Sequence, residues 1–175
     1  MTRWFTLAAV LLVVVLPLSA NAAVKQGPVT PNRGAHGIKL GMTRAQVVAA
    51  LGQPVYKNTN GYMQYGPPNK PGVAFDIYLD VSKRPNRVRL LGVYGAAFCL
   101  VGGGPCLLEK GGVGQLDDRY GAALETVTLD DGEQTIWLKG SYRGCDVFTD
   151  FGEPGRARSA RIGMVFIGFQ SGSAC

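Results

Sequence analysis

The chain has 175 residues, with 18 Lys and Arg against 12 Asp and Glu, a net charge of +6, and 46% hydrophobic residues. That length fits one domain of usual size or two half-size units sharing a core, and so small and dispersed a charge surplus does not make a nucleic-acid-binding surface. His36 is the single histidine and no Cys-x-x-Cys occurs, so neither a zinc site nor a dyad needing a second histidine is indicated, and no cofactor is implied.

At the N-terminus, Arg3, an apolar run from Leu7 to Leu18 and the small residues of Ala20-Asn21-Ala22 predict a signal peptide over residues 1–22. The run is short for a bilayer span and is broken by Pro17. No cysteine sits at or just after the cleavage site, so no lipid attachment point is offered there. The expectation is a secreted or periplasmic protein with no stable membrane insertion after cleavage. Residues 23–36 hold Gly27, Pro28, Pro31, Asn32 and Gly34 without apolar period, and read as a flexible leader.

The next stretch predicts a short helix with both ends marked. Thr43 is placed to cap its start, Val47, Val48 and Leu51 share a face, and Gly52 with Pro54 supplies the stop. Strands follow. Residues 61–66 form a short candidate, and residues 73–81 alternate cleanly, with Phe75, Ile77 and Leu79 on one face and Asp76, Tyr78 and Asp80 on the other. After a turn containing Pro85, residues 87–94 read as the return strand, with Arg87 and Arg89 opposite Val88 and Leu90.

All four cysteines, Cys99, Cys106, Cys145 and Cys175, lie in the exported part, and an even count in an oxidising compartment reads as two disulfides. Three pairings are possible. The Gly-rich stretch between Cys99 and Cys106 can fold into a tight loop, which favours that pair and leaves Cys145 with Cys175.

Beyond residues 99–114, a Gly-rich connection without a phosphate-binding motif, the chain echoes itself. Residues 115–121 align with 46–52 at an offset of 69, Asp146-x-Phe148-x-Asp150 aligns with Asp76-x-Tyr78-x-Asp80 at 70, and residues 154–158 align with 85–89 at 69. Further strands are predicted at 134–139, 146–151 and 162–169. The expected fold is therefore α+β: a tandem repeat of a short helical segment plus antiparallel strands, over residues 37–98 and 115–175, forming a sheet with helices on one face and stapled by two disulfides.

Gly37-Ile38-x-Leu40-Gly41-Met42-Thr43-x-x-x-Val47-x-x-x-Leu51-Gly52-x-Pro54 resembles the signature shared by β-lactamase inhibitory proteins and the small outer-membrane lipoproteins of barrel assembly. The resemblance implies helical elements packed on an antiparallel sheet, in tandem in the inhibitor type. The chain departs from the lipoproteins in lacking the lipid-bearing cysteine, and its second helix motif has Lys110-Gly111-Gly112 in place of Gly41-Met42-Thr43. No motif matches an inhibitory loop, so no binding residue carries over from the family.

The candidate site is the polar face of the sheet. Asp76, Tyr78, Asp80, Asp146, Phe148 and Asp150 are expected there, with Arg87, Arg89, Arg156 and Arg158 on neighbouring strands and Trp137 beside them. Aromatic residues and arginine exposed together are what protein interfaces use as anchors. The competing reading is that each Asp pairs with an Arg across its hairpin and does nothing more. Asp76 and Asp80, like Asp146 and Asp150, lie about 13 Å apart along a strand, too far for a glycosidase pair. Asp117-Asp118 and Asp130-Asp131 read as helix and turn, and no nucleophile has a base partner. The expectation is a non-enzymatic, inhibitor-like module that binds another exported protein through this face; the alternative is a cell-envelope structural or assembly accessory.

Overall fold

The computed structural model describes residues 27–66, 74–95, 98–130, 133–152 and 160–171. In chain order the elements are β1 (Gly27–Thr30), β2 (Gly34–Ala35), β3 (Ile38–Lys39), α1 (Arg44–Leu51), β4 (Tyr56–Lys57), β5 (Tyr62–Tyr65), β6 (Ala74–Asp80), β7 (Arg87–Tyr94) and β8 (Phe98–Leu100). They continue with α2 (Gly112–Tyr120), a 3-10 turn (Gly121–Ala123), β9 (Leu124–Thr128), β10 (Gln134–Tyr142), β11 (Cys145–Gly152) and β12 (Met164–Phe169). The signal peptide expected over residues 1–22 lies outside the described residues.

Helix α1 forms where its ends are marked. The Thr43 N–H donates to Gln46 Oε1 at 2.8 Å and the Gln46 N–H donates to Thr43 Oγ1 at 3.3 Å, a reciprocal capping box. Gly52, at φ 79°, ends it, donating its N–H to Val48 at 2.8 Å. The face so fixed buries Val47 and Leu51, with Val48 packed partly against the same core.

The strands build two sheets. A small one has the order β3-β2-β1-β8, with β1 and β8 parallel, and a large antiparallel one has the order β4-β5-β6-β7-β12-β11-β10-β9. One face of the large sheet, carrying Phe75, Ile77, Leu91, Val93, Val147, Phe151, Val165 and Ile167, joins a single core with the small sheet's Val29, Ile38 and Phe98 and with Val47 and Leu116 of the helices. The other face is the open one.

This architecture corrects the expected α+β tandem repeat. The described residues are mostly strand, and the two helices among them, of eight and nine residues, each have only about two turns to place against the core. The halves do not stand as helix-plus-strand units, because β7 pairs with β12 from Leu90↔Gly168 to Tyr94↔Met164 and joins the strands of both into one sheet. Part of the stretch expected as a leader is also built in: Val29 and Ala35 of β1 and β2 are buried core residues. Likewise the Gly-rich connection begins within β8 and ends within α2.

The expectation of two disulfides is met by one bond among the described residues, Cys99–Cys106, which closes the tight loop over residues 101–105. The other expected pair ends at Cys175, outside the described residues. A disulfide is what an oxidising compartment permits. Among the described residues no helix is long and apolar enough to cross a membrane.

Candidate functional site: the open face of the large sheet

Register decides which side chains meet on the open face. One row crosses the sheet through Gln64, Asp76, Gly92, Phe166, Asp150, Trp137 and Glu125; the next runs through Tyr62, Tyr78, Leu90, Gly168, Phe148 and Lys139. Side chains one strand apart in a row are about 5 Å apart at the backbone, close enough for rings to touch.

Three ring groups result. Tyr56, Tyr62 and Tyr78 form a chain with centroids 5.9 and 5.1 Å apart. Trp137 and Phe148 stack at 4.9 Å and 18°, and Tyr94 meets Phe166 edge to face at 5.7 Å. Such pairs add about 0.5–1.5 kcal/mol beyond area burial. Two glycines let the rings approach the backbone closely in the middle of the face. A Cβ on Gly92 would sit 2.8 Å from Phe166 Cε1 and 3.0 Å from the Tyr94 hydroxyl, and one on Gly168 would meet Leu90 Cδ1 at 2.7 Å and Phe148 Cζ at 3.1 Å.

Each end of the face holds a carboxylate beneath its rings. Asp76 is 9% exposed and accepts a 2.9 Å hydrogen bond from the Tyr62 hydroxyl. Burial pushes its carboxyl above the ordinary carboxylate range, while the Tyr62 and Tyr94 hydroxyls hold it back. The same surroundings raise both phenols, burial first and Asp76 next. Asp150 accepts from the Thr135 hydroxyl and is also raised by burial, with Thr135 and Trp137 opposing. The Trp137 Nε1 is buried and has no hydrogen-bond partner, although it lies close enough to favour the charged form of Asp150.

Asp76, Tyr78, Asp80, Trp137, Asp146, Phe148 and Asp150 thus share the expected face, but with other partners. Asp76 and Asp150 take hydroxyl donors in place of arginine; an ion pair on this face joins Lys139 to Glu125 at 2.6 Å. Asp80 accepts from the Ser82 N–H and hydroxyl at 3.0 and 2.5 Å, and Ser82 is the first cause holding it below the usual range. Asp80, Arg87 and Arg89 stand apart from the rings, at the end of the sheet where β12 stops. Asp146 is exposed, opposite Ser141. A β-bulge between Tyr78 and Leu79 corrects the reading of β7: Leu90 faces Tyr78, and Leu91 takes the core position. Arg156 and Arg158 lie outside the described residues.

Sequence reading missed Tyr56, Tyr62, Tyr94, Thr135 and Phe166. The Tyr62-x-Gln64 alternation in β5 was the available signal for the tyrosine group; Tyr94 and Phe166 become visible only when β7 and β12 pair.

Asp76 and Asp150 are separated by three strand spacings, about 14 Å, so they do not form a catalytic carboxylate pair. Among the described residues no three His, Cys, Asp or Glu side chains gather to hold a metal. Comparison with known proteins gives no matching family model, curated protein or solved structure.

Proposed function

We propose that the chain is an exported, non-enzymatic, inhibitor-like binding module that captures another exported protein on the open face of its large sheet. The observation that supports this reading is the band of aromatic rings across that face, from Tyr56 at 53% exposure through Tyr78 at 38% to the stacked Trp137 and Phe148. Rigid rings lose little entropy on association and bury large areas, which is how interface anchors work. The carboxylates beneath them already have hydroxyl donors, so covering the face leaves neither without a partner. A secreted or periplasmic location, the resemblance of the residue 37–54 motif to the inhibitory proteins, and the cysteine usage agree with this role.

The test is capture by the immobilised, oxidised mature protein from extracytoplasmic fractions of its own source. Replacing Tyr78, Trp137 and Phe148 together with Ala should abolish capture of the bound protein while circular dichroism and the sheet's thermal transition persist. Undiminished capture by the folded triple variant would overturn the reading.

A further inference from the structure

At the end of the sheet where β12 stops, a cleft of about 500 Å³ opens beside the hairpin of β6 and β7. Beyond Leu90, β7 is no longer paired by β12. Residues 41–43 take that place instead: Gly41 donates to the Val88 carbonyl at 2.8 Å and Val88 donates to the Met42 carbonyl at 2.8 Å. The gap between this segment and the start of β11 forms the cleft.

Its charge is one-sided. Among the described residues Lys83, Arg87, Arg89 and Arg143 line it against one carboxylate, Asp80, which accepts from Ser82 and also feels the charges of Lys83 and Arg89. Two guanidinium groups from different elements converge at Gly41. Arg87 Nη1 donates to the Gly41 carbonyl at 2.9 Å, and Arg143 Nη1 lies 4.0 Å from where a Cβ on Gly41 would stand. Arg143 is steadied from behind by the Tyr142 ring, 5.3 Å from its Cζ. Leu40, Val88 and Phe169 give the cleft an apolar floor.

We propose that this cleft seats an acidic peptide segment. A guanidinium matches a carboxylate in bidentate geometry, and two presented from different elements suit successive acidic side chains. The cleft's volume and apolar floor fit carboxylates carried on carbon stems; a bare oxyanion would need a tighter cradle of backbone amides. Asp80 follows Tyr78 on the same side of β6, so the cleft lies at one end of the ring-bearing face. The inference therefore deepens the proposed function, on which it rests for the owner of the peptide: the protein captured on the rings presents an acidic segment at this end of the sheet.

The test needs no partner. The isotope-labelled mature protein is titrated with an acetylated hexaglutamate peptide, and separately with inorganic phosphate, and amide shifts are followed. The expected result is saturable hexaglutamate binding with shifts concentrated at Gly41, Val88, Arg89 and Gln170. Binding should weaken about tenfold in Arg89→Gln/Arg143→Asn, the loss expected for two charge-assisted contacts. Asn suits position 143, where φ is 55°. If the double variant fails to fold, Arg89→Gln alone should still weaken binding, while Lys57→Gln should not. Shifts spread over lysines elsewhere, unchanged affinity in the arginine variants, or saturation by phosphate at lower concentration than by peptide would each overturn the proposal. Because the ring residues are untouched, loss of protein capture in the ring variant with peptide binding intact would separate the two readings.

Discussion

At the β5–β7 end of the open face Asp76 sits among tyrosines, whereas at the β9–β11 end Asp150 lies beside a threonine and a tryptophan. Both carboxylates are pushed up by burial, and both have aromatic rings as neighbours. The tyrosine end is tied by hydroxyl donors that depend on Asp76. At the other end Thr135 serves Asp150, the Trp137 Nε1 has no partner, and the 4.9 Å stack on Phe148 provides the organisation. Both ends combine rings with a hydroxyl donor, but phenols supply the donors at the first, whereas a threonine beside a close ring stack does so at the second. The face therefore offers hydroxyls at one side and a stacked ring pair at the other.

The largest effect is expected where the two ends meet. Gly92→Val would drive a side chain into Phe166 and the Tyr94 hydroxyl, and should cost about 2–3 kcal/mol in urea unfolding. A loss below about 0.5 kcal/mol would mean the rings do not rest on the glycine. Next in size is the contrast between removing and neutralising each carboxylate. Asp76→Ala should be about 1 kcal/mol less stable than Asp76→Asn, which keeps an acceptor for the phenols; the corresponding gap at Asp150 should be about half that, because Thr135 can turn to the Phe151 carbonyl. Equal gaps would erase the distinction between the phenol-donor end and the threonine-donor end.

The pH dependence has a definite sign. Asp76 and Asp150 hold their protons to higher pH in the folded chain than in the unfolded one. The stability each contributes is therefore fully present below the ordinary carboxylate value of 3.8 and is lost as pH rises through the raised folded values. Melting temperatures from pH 3 to pH 7 should show the parent losing stability relative to Asp76→Asn/Asp150→Asn; parallel curves would contradict the burial. The smallest effect is expected from Lys139→Ala, since its ion pair with Glu125 is about half exposed on both sides, and should stay under about 0.5 kcal/mol.

Much of the face was legible in sequence because strand alternation is local. Phe75, Ile77 and Leu79 mark one side of β6, and Asp76, Tyr78 and Asp80 follow on the other whatever lies beside them. The ends of α1 were legible for the same reason: Thr43, Gln46 and Gly52 are neighbours in the chain. What could not be read was lateral. Phe166 reaches Gly92 because β12 pairs with β7, and the Asp76 carboxylate meets Tyr62 in place of an arginine because of β5–β6 register. The small sheet escaped because β2 and β3 are two residues each, set among glycines, and because its companion β8 is about 70 residues away in the chain. The bulge at Tyr78/Leu79 changed the face of Leu90 by inserting one residue, which no alternation pattern announces.

The most direct measurement is site-specific photo-crosslinking during capture, with a benzophenone side chain at Tyr78 on the open face and, separately, at Ala49, exposed on α1. If the open face binds the partner, the Tyr78 position yields the covalent adduct and the Ala49 position does not. An adduct at Ala49 with none at Tyr78 would place recognition on the helix side and contradict the role assigned to the sheet.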